Sequence, residues 1–209
     1  MTCPGLLLTG GASRRLGVPK AEVPIDGATL SRRAAAVLAA VCDPAIEVGP
    51  GVSGLRSVRE EPPGSGPLAA LVAGAGAVGP GSSRGVVLLA CDLPFVGAAL
   101  LGLVAGHPSE RTVVPRDRDG RLQYTCARYA PGAIETARRL LAAGRSSLRA
   151  LVEQVTIEVL EPEAWAGVAA ADAFDDLDTP ADFARHGIPL PGSDPGSGRG
   201  RSAGAGPHP

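Results

Sequence analysis

The chain has 209 residues and a formal net charge of −1. That is long enough for one domain with a full hydrophobic core, and it lacks the basic excess of a nucleic-acid-binding surface. Aromatic residues make up only 3%, which argues against stacking platforms for single-stranded RNA or DNA. No uninterrupted apolar run reaches the ~18 residues of a membrane helix, and the opening MTCPGLLLTGG lacks the basic start of a secretory signal. A soluble, cytoplasmic protein with no nucleic-acid or membrane partner is expected.

Taken in order, apolar strands alternate with helical stretches. GLLLT (5–9) is short, apolar and followed by Gly-Gly, so it reads as a buried strand ending in a loop. TLSRRAAAVLAAV (29–41) is an Ala-rich helix. AIEVG (45–49) and LRSVR (55–59) read as short strands, and PLAALVAGAGAV (67–78) as a helix with Pro at its first position. GVVLLACDLPF (85–95) is the clearest buried strand and stops at Asp92; GAALLGLVAGH (97–107) is a further helix. RTVVPRDRDGRLQYTCARY (111–129) reads as two strands joined around RDRDGR, where Asp119-Gly120 is a turn signal. GAIETARRLLAAG (132–144) is a helix closed by Gly144. TIEVLE (156–161) alternates like a strand, and TPADFARHG (179–187) is a short helix with Thr179 as N-cap.

This alternation predicts a three-layer α/β/α, Rossmann-like domain with a mostly parallel sheet over residues 1–187. The remainder, IPLPGSDPGSGRGRSAGAGPHP (188–209), carries too little apolar content to offset its ordering entropy and is expected to be a disordered tail. Cys3, Cys42, Cys91 and Cys126 show no C-x-x-C spacing and lie in or beside apolar segments. They are expected to be small core residues. His107, His186 and His208 fall in no motif and are expected on the surface.

Ligands in such sheets bind beyond the carboxyl ends of the strands. Two loops sit there: LLLTGGASRRLGVPKA (6–21) and the segment after Asp92. The first is neither a Walker loop nor a dinucleotide fingerprint. Gly10 and Gly11 nonetheless allow consecutive N–H groups to face one anion, and Arg14, Arg15 and Lys20 add full positive charges suited to a phosphate chain. A basic surface turn is the competing reading. Asp92 suits a carboxylate ligand for the Mg²⁺ that accompanies a triphosphate; the competing reading is a cap on the next helix.

These segments together resemble the MobA-like nucleotidyltransferases. LLLTGGASRRLGVPKA resembles their signature L-x-G-G-x-S-x-R-M-G-x-x-K, with Leu16 in place of Met. REEPPGSGPLAAL (59–71) resembles the acidic-then-G-P-L-A-G segment, LLACDLPF (88–95) the C-D-x-P-F strand end, LQYTCARY (122–129) the Q-P-L-x-A-x-Y stretch, and FDDLDTPADF (174–183) the closing D-T-P motif. The likeness covers about 180 residues and omits only the tail.

The resemblance implies a reaction in which GMP passes from Mg²⁺-bound GTP to a molybdopterin-type cofactor, with release of pyrophosphate. It implies that Leu8, Thr9, Gly10 and Gly11 line the nucleotide, with Gly49, Gly66, Pro67 and Leu68 close by. Arg15 and Lys20 would hold the phosphates, Asp92 would hold Mg²⁺, and Glu61 would fill the slot of an Asp that contacts the nucleoside. Glu60 is an alternative to Glu61, and the pair also reads as solvated charge. Asp178, where relatives often carry Asn, is expected to assist the metal, to orient the acceptor phosphate, or to act as a loop cap before the helix at Thr179. Tyr124 and Thr125 stand in place of Pro-Leu. Transient contact with a molybdoenzyme or cofactor-delivery protein is also implied. Three alternatives stay open: a cytidylyltransferase on the same cofactor, a sugar-phosphate nucleotidyltransferase, and a non-catalytic nucleotide- or cofactor-binding relative.

Overall fold

The structure, a computed structural model, describes residues 2–10, 18–79 and 84–190. In β1 (Gly5–Leu8) all four residues are buried, and successive side chains leave opposite faces. Leu7 joins one core cluster, while Leu6 and Leu8 join another. β6 (Val86–Ala90) repeats the pattern, with Val87 and Leu89 on the first side and Val86, Leu88 and Ala90 on the second. Strands apolar on both faces need a helical layer on each.

Those layers are present. α1 (Leu30–Val41) and α3 (Ala98–Gly106) pack on the first face through Leu38, Leu100, Leu101 and Val104. α2 (Pro67–Val78) and α4 (Pro131–Ala142), joined by α5 (Leu148–Val152), cover the second through Leu68, Leu71, Ile134, Leu140 and Leu151. Local chemistry sets the ends. The Thr29 hydroxyl accepts the Arg32 N–H at the start of α1. Gly66, at φ +92°, supplies the left-handed residue that lets the chain turn into Pro67 and α2.

The seven-stranded sheet has the order β5-β4-β1-β6-β8-β7-β9, with β4 (Ala45–Val48), β5 (Arg56–Val58), β7 (Thr112–Pro115), β8 (Cys126–Tyr129) and β9 (Ile157–Leu160). It is parallel except for β8, which runs antiparallel to both β6 and β7. The expected strand pair around RDRDGR is this β7–β8 pair, extended by an Arg116–Leu122 bridge and turning at Gly120. The chain leaves β1 toward β4 and returns through α2 to β6 on the other side. The switch point of the topology therefore lies between β1 and β6, where a crevice opens beyond their carboxyl ends.

Four short features went unpredicted, among them α5 and a 3-10 turn at Lys20–Glu22. A small hairpin of β2 (Pro24–Ile25) and β3 (Ala28–Thr29) turns at Asp26-Gly27, and a one-turn helix α6 (Pro162–Trp165) follows β9. The hairpin helps form a third cluster, in which Val23, Ile25 and Leu30 meet Leu177 and Phe183 of α7 (Pro180–Arg185) and its lead-in. Ile188 packs against it too, and its N–H donates to the Phe183 carbonyl at 2.9 Å. The rest of the expected tail, from residue 191 on, lies outside the described residues. All four cysteines are free and buried. Among the described residues no helix is long and apolar enough to cross a membrane.

Candidate active site

A cavity of 430 Å³ opens at the switch point, within the range of small-molecule sites. Its inner wall is the end of β1 (Leu8, Thr9, Gly10), and one side is Val48, Gly49 and Pro50 after β4. Arg59, Glu60, Pro63 and Gly64 follow β5, and Gly66, Pro67 and Ala70 form the start of α2. Lys20 closes the front from a 3-10 turn spanning Lys20–Glu22. Ala21 of that turn is buried in the core, which fixes the direction of its neighbours.

The wall at Gly49 is tight. A Cβ there would collide with the Thr9 hydroxyl, so only glycine permits the two strand ends to approach this closely. Behind it lies Glu47, fully buried on β4. Its carboxylate accepts the Thr9 hydroxyl at 2.5 Å and the N–H groups of Gly51, Val52 and Ser53 at 2.7, 3.1 and 2.8 Å. Burial pushes its pKa up, but the hydrogen bonds from Ser53, Thr9 and Gly51 together prevail and hold it below the ordinary carboxylate value.

Glu60 and Glu61 separate clearly. Glu60 is buried, faces the cavity and accepts the Gly64 N–H at 2.9 Å. Glu61 is exposed and does not line the cavity. Leu68 is also absent from the lining: its side chain lies in the core, and its N–H donates to the Ser146 carbonyl. Gly11, Arg14 and Arg15 lie outside the described residues.

Asp92 follows the end of β6, and Lys20 reaches it across the crevice, Nζ to Oδ2 3.1 Å. The same ammonium contacts Asp178 Oδ1. Asp178 is brought there because the Leu177 N–H donates to the Asp92 carbonyl at 3.2 Å, pinning the lead-in of α7 to β6. Asp182 anchors the other side of this lead-in by accepting the N–H groups of Asp178 and Thr179 and the Thr179 hydroxyl. Those Thr179 bonds hold the Asp182 carboxyl below its usual range.

A second, polar cavity of 710 Å³ begins at Asp92. One wall is the β7–β8 loop. There Asp117 accepts the N–H groups of Asp119 and Arg121 and the side-chain amide of Gln123, ordering Arg118, Arg121 and Gln123 around the opening. The opposite wall carries Asp175, Asp176 and Arg185. His186, expected on the surface, is instead mostly enclosed, its side chain 11% exposed. It stacks on Phe95 and contacts Asp175 at 3.1 Å, because the third cluster draws α7 against the domain. Sequence reading passed over Glu47, and it gave Asp175 and Asp176 no role beyond their place in the FDDLDTPADF stretch. The one local clue to Glu47 was a lone acid within an apolar strand.

An ammonium held between two carboxylates marks a place that favours cationic charge. Asp92 and Asp178 are the hard oxygen donors that a divalent cation takes. Among the described residues no three His, Cys, Asp or Glu side chains gather into a ready-made cage, so the donor set suits a cation that completes its shell with substrate oxygens and water.

Comparison with known proteins gives a consistent picture. Residues 5–159 match the MobA-like NTP transferase domain. Over 164 residues the chain is 34% identical to a Mycobacterium avium (strain 104) protein named "Probable molybdenum cofactor guanylyltransferase", covering 73% of this chain and 82% of that protein. The fold is similar to that of the molybdopterin-guanine dinucleotide biosynthesis protein A from Archaeoglobus fulgidus, with a TM-score of 0.71, 20% identity and coverage of 87% and 95% of the two chains. It is also similar to Rv0371C of Mycobacterium tuberculosis H37Rv, crystallised as a complex with manganese, with a TM-score of 0.66, 20% identity and coverage of 88% and 97%.

Proposed function

The chain belongs to the MobA-like NTP transferase family, and from that premise we propose that it is a molybdenum cofactor guanylyltransferase of the cytoplasm. It transfers GMP from Mg²⁺-bound GTP to the terminal phosphate of a molybdopterin-type cofactor. The observation that carries this reading is the position of the Lys20–Asp92 pair. Lys20 lines the first cavity, Asp92 lines the second, and they touch at 3.1 Å. A nucleotide in one cavity and an acceptor in the other meet at this pair.

The first cavity takes the nucleoside triphosphate. Glu60, buried at its far side, is an acceptor for the N1–H and N2–H donors of guanine. Gly66 and Pro67 wall the base, and Leu8 to Gly10 lie under the sugar and phosphates. A phosphate oxygen of the acceptor forms the new bond to the α-phosphorus, and the bond to the β-phosphate oxygen breaks in line, releasing pyrophosphate. No protein nucleophile is needed, so the protein acts by positioning and charge. Lys20 neutralises the departing pyrophosphate; Arg15, which lies outside the described residues, is assigned the same role by the family resemblance alone. Asp92, with Asp178, would hold Mg²⁺, which when bound would offset negative charge on the phosphates. Arg118, Arg121 and Gln123 of the second cavity bind the acceptor.

The supporting relative shares the name of this activity. The test is an assay of pyrophosphate release with GTP, Mg²⁺ and molybdopterin. Release that depends on all three supports the reading; release with CTP in place of GTP, or none with molybdopterin present, rejects it.

A further inference from the structure

We propose that Glu47 is a positioning residue of the nucleotide site, whose buried carboxylate ties Thr9 to the 49–53 loop so that Gly49 and Pro50 form a fixed wall. The inference rests on reading the first cavity as the triphosphate site.

Glu47 faces Leu7 across the sheet, at a position where an aliphatic side chain would complete the core cluster of α1 and α3. A buried carboxylate is costly unless its charge is met by donors. Among the described residues, the donors that meet it are the Thr9 hydroxyl, the Ser53 side chain and three consecutive backbone N–H groups. Three successive amides converging on one anion form a nest of the kind that elsewhere captures phosphate. Here the nest is filled from within. The 49–53 loop therefore does not offer these amides to a phosphate. Its shape is set before any ligand arrives, and two of its residues, Gly49 and Pro50, stand in the cavity wall beside Thr9. Glu47 itself does not line the cavity, so it acts through the residues that do.

Glu47→Gln replaces one acceptor oxygen by an N–H₂ group that cannot accept from the backbone amides. In the pyrophosphate-release assay, the KM for GTP is expected to rise about tenfold while kcat stays within about twofold, the pattern of lost ground-state binding. Val104→Ala, a core position of α3 outside the cavity lining, is the control for destabilisation alone: a lower Tm with KM unchanged. If Glu47→Gln lowers Tm and leaves KM within twofold of the wild type, the residue is merely structural and the inference falls. Should Glu47→Gln fail to fold, Ser53→Ala carries the test. It removes a side-chain hydrogen bond to Glu47 from a residue outside the cavity lining, and an unchanged KM overturns the inference equally. A wild-type protein that neither turns over nor binds GTP overturns the functional reading instead, and this inference with it.

Discussion

Lys20 and Asp92, 72 positions apart in the chain, meet at 3.1 Å where the two cavities join. The pair forms because β1 and β6 are neighbours with parallel strand ends, and each residue follows one of those ends. Removing either member has a separate signature. Asp92→Ala is expected to cut kcat by about a hundredfold or more, the scale of losing one preorganised electrostatic group, while Tm moves by no more than about 4 °C. Lys20→Ala is expected to weaken GTP binding about 10- to 100-fold, the range for a charged hydrogen bond. Calorimetric titration and single-turnover kinetics separate the two. Full Mg²⁺-dependent activity in Asp92→Ala would remove the metal assignment.

Adjacent glutamates should behave differently. Glu60 is buried against the cavity, and Glu61 is exposed outside its lining. Glu60→Gln is expected to weaken GTP about tenfold, since a buried acceptor for two guanine donors is lost, with little change for ATP. Glu61→Gln is expected to change GTP affinity by no more than about twofold, as for most surface substitutions. Equal effects from both would place the base elsewhere.

Much of this site is readable from the sequence, because it rests on local signals. GLLLT and VVLLAC show buried strands by composition alone, and PLAALVAGAGAV marks its helix by Pro67 and ends as expected at Val78. What sequence reading missed depends on partners distant in the chain or on elements too short to be periodic. Glu47 reads as one acid in a strand; its meaning comes from Thr9, 38 positions away, and from backbone groups of a loop that carry no side-chain signature. The β2–β3 hairpin has two residues per strand and shows no alternation, although Asp26-Gly27 is a turn signal. His186 has an exposed-looking context, HGIPLP, and is enclosed only because Phe183 pulls α7 into the third cluster. The EE pair was ambiguous for a simple reason: adjacent residues point apart, and only the path after β5 decides which faces inward.

Arg128 supplies a stability prediction independent of the site. It is 1% exposed, and its guanidinium donates to the carbonyls of Ala105, His107, Ser109 and Arg111, closing the α3–β7 connection. Burial, reinforced by the nearby Arg84, lowers its pKa from the ordinary arginine value. Arg128→Met leaves those carbonyls short of donors and is expected to cost about 2–4 kcal/mol in urea unfolding. The KM for GTP should not change, because the connection lies at the opposite end of β6 from Asp92.

The cysteines give a prediction about pH. Burial pushes the thiols of Cys42, Cys91 and Cys126 up to about 12, with the Asp92 charge adding to the effect at Cys91. The thiolate is the reactive form. A disulfide reagent at pH 8 is expected to label none of these three in the folded protein and all of them in denaturant. Rapid labelling of Cys91 in the native state would mean that the strand end beside Asp92 opens to solvent.

The most direct test of the central claim is a melting-temperature series with Mg²⁺ and GTP, CTP, UTP or ATP in turn. A ligand bound only by the folded state stabilises by RT ln(1 + [L]/Kd), about 2.7 kcal/mol at a hundredfold excess over Kd. GTP alone should raise the Tm, and the rise should vanish in Lys20→Ala. A larger rise with CTP than with GTP, or no rise with any nucleotide, would contradict the assignment of the first cavity as a guanine nucleotide site.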